Sequence, residues 1–143
     1  MDKLSELQAE AKEDLIILDD EDLHQQSYKN QIIKPKWLDY KSKYRLFTFQ
    51  LKADHKRLYR LKWEYYGGKS DAKIYATKPF DLKVLKTDLA VYIESDDEII
   101  QSEHKIAYLE TTVKYLENVI KSINQRQWDI SNAIKWTVWE GGM

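Results

Sequence analysis

Residues Lys34 to Asp71, KPKWLDYKSKYRLFTFQLKADHKRLYRLKWEYYGGKSD, carry both a helical pattern and eleven of the 23 Lys/Arg of this chain. Pro35 suits a first helical turn, where its missing N–H costs nothing, and Gly67 and Gly68 supply a stop. Between them Trp37, Tyr40, Tyr44, Phe47, Leu51, Leu58, Leu61 and Tyr65 recur at spacings of three and four, with Asp54 in the one polar slot. That spacing is a heptad seam. At about 100° per residue the opposite side carries Arg45, Phe49, Lys52, Lys56, Arg60 and Trp63, so cations and rings share a face. From Lys29 to Lys62 there are eleven Lys/Arg against Asp39 and Asp54, an excess of nine in a chain whose net charge is −1.

A face of this kind suits single-stranded nucleic acid. Cations follow the phosphates, and exposed rings offer about 1–3 kcal/mol of stacking per base without discriminating between bases. Duplex DNA hides the ring faces. The competing reading packs Phe49 and Trp63 on a neighbouring helix or subunit and leaves the lysines as a solvated face.

The chain has 143 residues, four Gly, two Pro and no Cys. This length fits a single helical domain with a modest core, and so few turn residues imply few, long elements. Without cysteine there is no disulfide framework, thiol nucleophile or Cys-based zinc site, and a reducing compartment is compatible. No apolar run approaches the ~20 residues needed to cross a bilayer, and Met1-Asp2-Lys3 does not open a signal peptide. The expectation is a cytoplasmic protein with no membrane partner. Aromatic residues make up 13% of the chain, more than a small monomer with long helices can bury, so some rings should meet a partner.

Before the basic stretch, residues 1–33 form an acidic arm. Met1 to Asp22 has nine acids against Lys3 and Lys12, with Leu4, Leu7 and Ala11 at helical spacing. Asp19 or Asp20 is placed to cap a second helix through Ile33. The arm either stays solvated or contacts basic surface. After the basic helix and turn of residues 34–71, Gly67 to Pro79 reads as a loop whose Lys69, Lys73 and Lys78 extend the positive surface. Residues 72–94 are a connector, and Phe80 to Ile93 within it suits a short helix or an extended segment. Ser95-Asp96-Asp97-Glu98 is a capping box opening the last part of the chain, residues 95–143. There Ile99, Ile106, Leu109, Val113, Leu116, Ile120, Ile123, Ile130 and Ile134 continue an a/d pattern broken at Ser102 and Gln127. Two heptad helices, with Trp128, Trp136 and Trp139 besides, point to packing against copies of the same chain, an intramolecular helical hairpin being the alternative.

Enzymatic signatures are weak. Glu103-His104-Lys105 with Asp96 has a nuclease-like Glu-x-Lys spacing, but on a helix Glu103 and Lys105 point about 200° apart. His24, His55 and His104 are scattered, with no carboxylates at metal-ligand spacing. No glycine-rich loop follows a strand. Neither enzyme activity nor a cofactor or metal is expected.

At Lys36-Trp37-Leu38, at Leu61–Gly68 (LKWEYYGG) and over Ile123–Gly142 (INQRQWDISNAIKWTVWEGG) the chain resembles the UvsY family, the recombination mediators of tailed phages. The resemblance implies a mainly α protein, with long heptad-bearing helices and short N-terminal helices, that assembles into a ring or open-barrel homo-oligomer, a heptamer in the family. It implies binding to single-stranded DNA and loading of a phage RecA-like recombinase onto DNA coated by the phage single-strand-binding protein. The setting would be the cytoplasm of the infected bacterial host. The family's DNA-binding Lys/Arg pair before an acidic-Tyr-Tyr turn matches Arg60 and Lys62, ahead of Glu64-Tyr65-Tyr66, with the two basic types exchanged. Together with the neighbouring cations and ring, the expected DNA-binding set is Arg45, Lys52, Lys56, Arg57, Arg60, Lys62, Trp63 and Lys69. The family's C-terminal pattern maps onto Arg126, Gln127, Trp128 and Ile130, with Gln127 where the family has glycine, which makes a helix break there less expected. Carried over, Trp128, Ile130, Ile134, Trp136 and Trp139 are oligomerisation residues. The alternative function is an oligomeric helical scaffold whose basic helix docks an acidic protein.

Overall fold

The computed structural model describes residues 2–18 and 22–142, and all regular structure among them is helical. Helix α1 spans Lys3–Leu15 and is opened by the Asp2 carboxylate, which accepts the Ser5 N–H at 2.8 Å. Helix α2 spans Leu23–Tyr66, α3 Ala72–Thr77, α4 Leu89–Glu94 and α5 Asp97–Gly142. The mainly α expectation, with two long helices, is met.

Helix α2 starts earlier than Pro35 suggests. Pro35 lies inside it, and the helix begins after Asp22, whose side chain accepts the His24 N–H at 2.8 Å. Proline removes one i−4 hydrogen bond, but a long helix flanked by good helix formers runs through it. The caps expected at Asp19 or Asp20 lie outside the described residues. At the other end the helix stops at the predicted glycines. The Gly68 N–H bonds to the Tyr65 carbonyl at 3.2 Å and the Lys69 N–H to the Glu64 carbonyl at 2.8 Å, while Gly68 takes φ +75°. These two bonds and the left-handed residue make a Schellman cap.

The Ser95 capping box does not form as expected. Asp96 caps α5, its carboxylate accepting the N–H groups of Glu98 at 2.9 Å and Ile99 at 3.4 Å. The Ser95 hydroxyl instead donates to the Val91 carbonyl at 2.7 Å, satisfying an acceptor at the end of α4.

The chain divides into two compact units, one from Met1–Arg45 with Thr111–Met143 and one from Leu46–Glu110. In the first, the early part of α2 runs antiparallel to the late part of α5 around Ile33, Trp37, Tyr44, Leu116, Val119, Ile123 and Ile130, with Leu7 and Ala11 of α1 also buried. The acidic arm docks here: Lys36 lies 3.0 Å from Glu10 and also pairs with Asp14, and the Trp37 indole donates to Asp14 at 2.8 Å. Arg126 is buried, donating to the Gln26 carbonyl at 2.8 Å and to the Asn30 side-chain oxygen. Gln127, the second break in the α5 pattern, accepts from Asn30 at 2.7 Å and donates to Ser27 at 3.2 Å. The helix runs through Gln127 without interruption.

In the second unit Leu89, Ile93 and Ile99 form a small core, packed by Leu58, Tyr59, Tyr66 and Val84. Here Leu51, Leu58 and Tyr65 of the expected α2 seam are half-buried, but the buried face is not confined to that seam. Thr48 is buried and His55, Tyr59, Lys62 and Tyr66 are half-buried, while Phe47 and Leu61 stay exposed. The polar members of this face have partners. His55 hydrogen-bonds with Ser102 at 2.9 Å, so the polar break in the α5 pattern meets a polar residue of α2.

Candidate nucleic-acid interface

The last turns of α2 sort their cations by face. Arg60 is 72% exposed, with Glu64 one turn on at 3.9 Å, and Lys56 is exposed one turn before it. Trp63 follows on the same side, and the Lys69 ammonium sits over its ring, 4.5 Å from the centroid. The Schellman cap makes that contact, because it folds Lys69 back over the end of the helix. Lys56, Arg60, Trp63 and Lys69 thus form one exposed strip of three cations and a ring. At the edges of the same unit, Lys52 pairs with Glu110 at 3.3 Å and Arg57 with Asp54 at 3.3 Å. Arg45 is exposed and belongs to the first unit.

Lys62 is different. Its side chain is only 16% exposed and lies 3.2 Å from Asp96 and 3.2 Å from Glu98. Burial lowers the affinity of this lysine for its proton, but hydrogen bonds to Glu98 and Asp96 more than offset this and hold its pKa above the ordinary value. Asp96 shows the mirror image. Burial pushes its carboxyl up, while the Tyr66 hydroxyl at 2.6 Å, the Lys62 ammonium and the Glu98 backbone N–H together hold its pKa below the usual value. Tyr66 is pushed up by burial and by the Asp96 carboxylate it donates to, so it keeps its proton.

The Glu-Tyr-Tyr turn supports this arrangement. Tyr65 stacks on Tyr75 with centroids 5.5 Å apart, and its hydroxyl donates to the Lys78 carbonyl at 2.9 Å. Tyr75 donates to the Tyr65 carbonyl at 2.7 Å and accepts the Ser70 N–H at 3.2 Å. Tyr66 packs edge-on against Phe80 at 4.9 Å. The predicted loop is therefore a hydrogen-bonded turn that contains the short helix α3. Beside it Lys62, Lys78 and the first residues of α5 line an open cleft of ≈ 650 Å³.

Sequence reasoning missed Asp96 and Glu98 as partners of Lys62, and Lys78 and Tyr75 as parts of the same corner. The available signal is the run of three acids, Asp96-Asp97-Glu98, at the start of α5.

The C-terminal set also divides. Trp128, Trp136 and Trp139 are 65%, 59% and 60% exposed, and Trp136 stacks on Trp139 at 5.3 Å. Ile130 is fully buried in the core of its own unit and Ile134 is half-buried. Among the described residues no group of three His, Asp or Glu is arranged to hold a metal ion, and no helix is long and apolar enough to cross a membrane.

Comparison with known proteins places these features in context. Residues 10–143 match the model of the family described as recombination, repair and ssDNA-binding protein UvsY. Among solved structures, one crystal form of the bacteriophage T4 recombination mediator protein UvsY superposes with TM-score 0.84 at 20% identity, covering 99% of this chain and 100% of that one. Another crystal form gives TM-score 0.83 at 19% identity, covering 95% and 99%. A search of curated protein sequences finds no match.

Proposed function

The chain belongs to the UvsY family of recombination, repair and ssDNA-binding proteins, and from that premise we propose that it is a single-stranded DNA-binding recombination mediator. It would act in the cytoplasm of an infected bacterial host, helping a phage RecA-like recombinase to load onto DNA covered by the phage single-strand-binding protein. The observation that carries this reading is the exposed strip of Lys56, Arg60, Trp63 and Lys69 at the end of α2. Its cations can follow phosphates, and its ring is open to a base once Lys69 moves aside.

No bond chemistry is required. A homo-oligomer, a heptamer as in the family, presents several strips, and one strand engaging many weak sites gains avidity through effective concentration. The strand is then held in a shape the recombinase binds better than the coat protein does. Only such a difference in affinity between two states can shift the exchange.

Fluorescence anisotropy of a labelled oligo-dT at low and high salt, with duplex of equal length as competitor, tests the binding. Arg60→Ala with Lys56→Ala is expected to weaken binding without loss of helicity. Each phosphate contact removed should flatten the log–log salt slope by about 0.7. Unchanged affinity would place the strand elsewhere. Strand-exchange assays with recombinase and coat protein then test mediation.

A second reading draws on the carboxylates beside Lys52, Arg57, Arg60 and Lys62. These cations pair readily with acids, as they would in a scaffold whose basic helix docks an acidic protein. Oligomerisation without oligo-dT affinity would favour it.

A further inference from the structure

We propose that Lys62 and Lys78 form a phosphate-binding subsite for single-stranded DNA, held in the free protein by the Glu98 carboxylate, which a backbone phosphate displaces. This rests on the reading of the chain as a DNA-binding protein.

Two ammonium groups converge on a single carboxylate oxygen: Glu98 Oε1 lies 3.2 Å from Lys62 Nζ and 3.7 Å from Lys78 Nζ. Two cations aimed at one anionic oxygen is the arrangement a phosphate needs, and a phosphate offers more acceptor oxygens than a carboxylate does. Both lysines are held from behind. The Lys78 backbone is fixed by its N–H to the Ile74 carbonyl at 2.8 Å and by its carbonyl to the Tyr65 hydroxyl at 2.9 Å, while its side chain is 69% exposed. Lys62 is kept in place by Asp96 at 3.2 Å.

The two acids have unequal freedom. Asp96 is 10% exposed, accepts the Tyr66 hydroxyl at 2.6 Å and caps α5, so it cannot leave without uncapping the helix. Glu98 is 53% exposed in the first turn of α5 and can rotate away. Ion pairs at such exposure are weak enough for exchange. Asp96 therefore aims Lys62, and Glu98 occupies the place of the ligand.

The full-length protein, Glu98→Gln, Lys78→Gln and the charge-matched control Glu13→Gln would be titrated against labelled oligo-dT at several salt concentrations, with circular dichroism as the check on folding. Glu98→Gln is expected to bind about two- to fivefold more tightly, the range an exposed ion pair commands, and Glu13→Gln to match the unmodified protein. Lys78→Gln should bind more weakly, with a salt slope shallower by about 0.7 for each subunit engaged. If Glu98→Gln gains no more than Glu13→Gln, or if Lys78→Gln keeps the original affinity and slope, the subsite is refuted while DNA binding stands. An unmodified protein that does not bind oligo-dT removes the DNA-binding reading and the subsite with it.

Discussion

Asp96 holds three duties at once: it caps α5, accepts the Tyr66 hydroxyl and pairs with Lys62. Asp96→Asn keeps much of the shape but leaves the half-buried Lys62 with a weaker partner. A loss of about 1–3 kcal/mol, the scale of a compromised charged hydrogen bond, is expected in urea unfolding. The pH dependence has a definite sign. Because the folded pKa of Asp96 is depressed below 3.8, its contribution is present above that value and is lost as pH falls through the lower, folded one. The raised pKa of Lys62 works oppositely: its contribution is complete below 10.5 and fades as pH rises through the higher, folded value. Stability of Asp96→Asn should therefore fall less steeply than that of the unmodified protein below about pH 4; parallel acid limbs would contradict this. None of these partnerships is legible in sequence order, since Lys62 and Asp96 lie on different elements. Hydropathy places a lysine outside by default, and only tertiary contact supplies the acid that lets it turn in.

The long helices were more readable than their contacts. Spacing located most of both, and glycine chemistry located the end of α2, because the Schellman cap needs a residue at positive φ. Gly68→Ala forces a β-carbon into that region and should cost about 1 kcal/mol, measured as a lower urea midpoint at unchanged slope. An unaltered midpoint would mean the cap contributes nothing. Pro35 does not mark the start of α2 because it is a strong local signal and a weak global one: its neighbours continue the helix on both sides. Two positions of the seam, Phe47 and Leu61, stay exposed for a related reason. Phe47 and Leu61 outrank Thr48 and Lys62 on any apolar scale, yet Lys62 finds acids and His55 finds Ser102. Periodicity counts apolar residues and cannot count satisfied polar ones. The polar breaks in α5, at Ser102 and Gln127, are for the same reason contact points with α2.

At the scale of the whole molecule, the exposed Trp128, Trp136 and Trp139 leave a large apolar surface that an isolated chain does not cover. Trp136→Ser with Trp139→Ser is expected to give smaller species in sedimentation velocity while helicity persists, since neither ring belongs to the core. An oligomer of undiminished size would acquit both. The buried Ile130 is the wrong probe for this question, because its replacement by Asp would damage the fold of its own unit. Subunit count was never within reach of the sequence, since the same exposed rings serve a dimer or a closed ring. The placing of the tryptophans has an optical consequence. Trp37 is sealed inside the first unit with its indole held by Asp14, Trp63 lies beneath an ammonium, and the three C-terminal indoles face solvent. The protein thus carries built-in fluorophores in its core, at its basic strip and on its apolar surface. Quencher access separates the sealed one from the rest, so an unlabelled sample can report unfolding and surface engagement as distinct changes in its own emission.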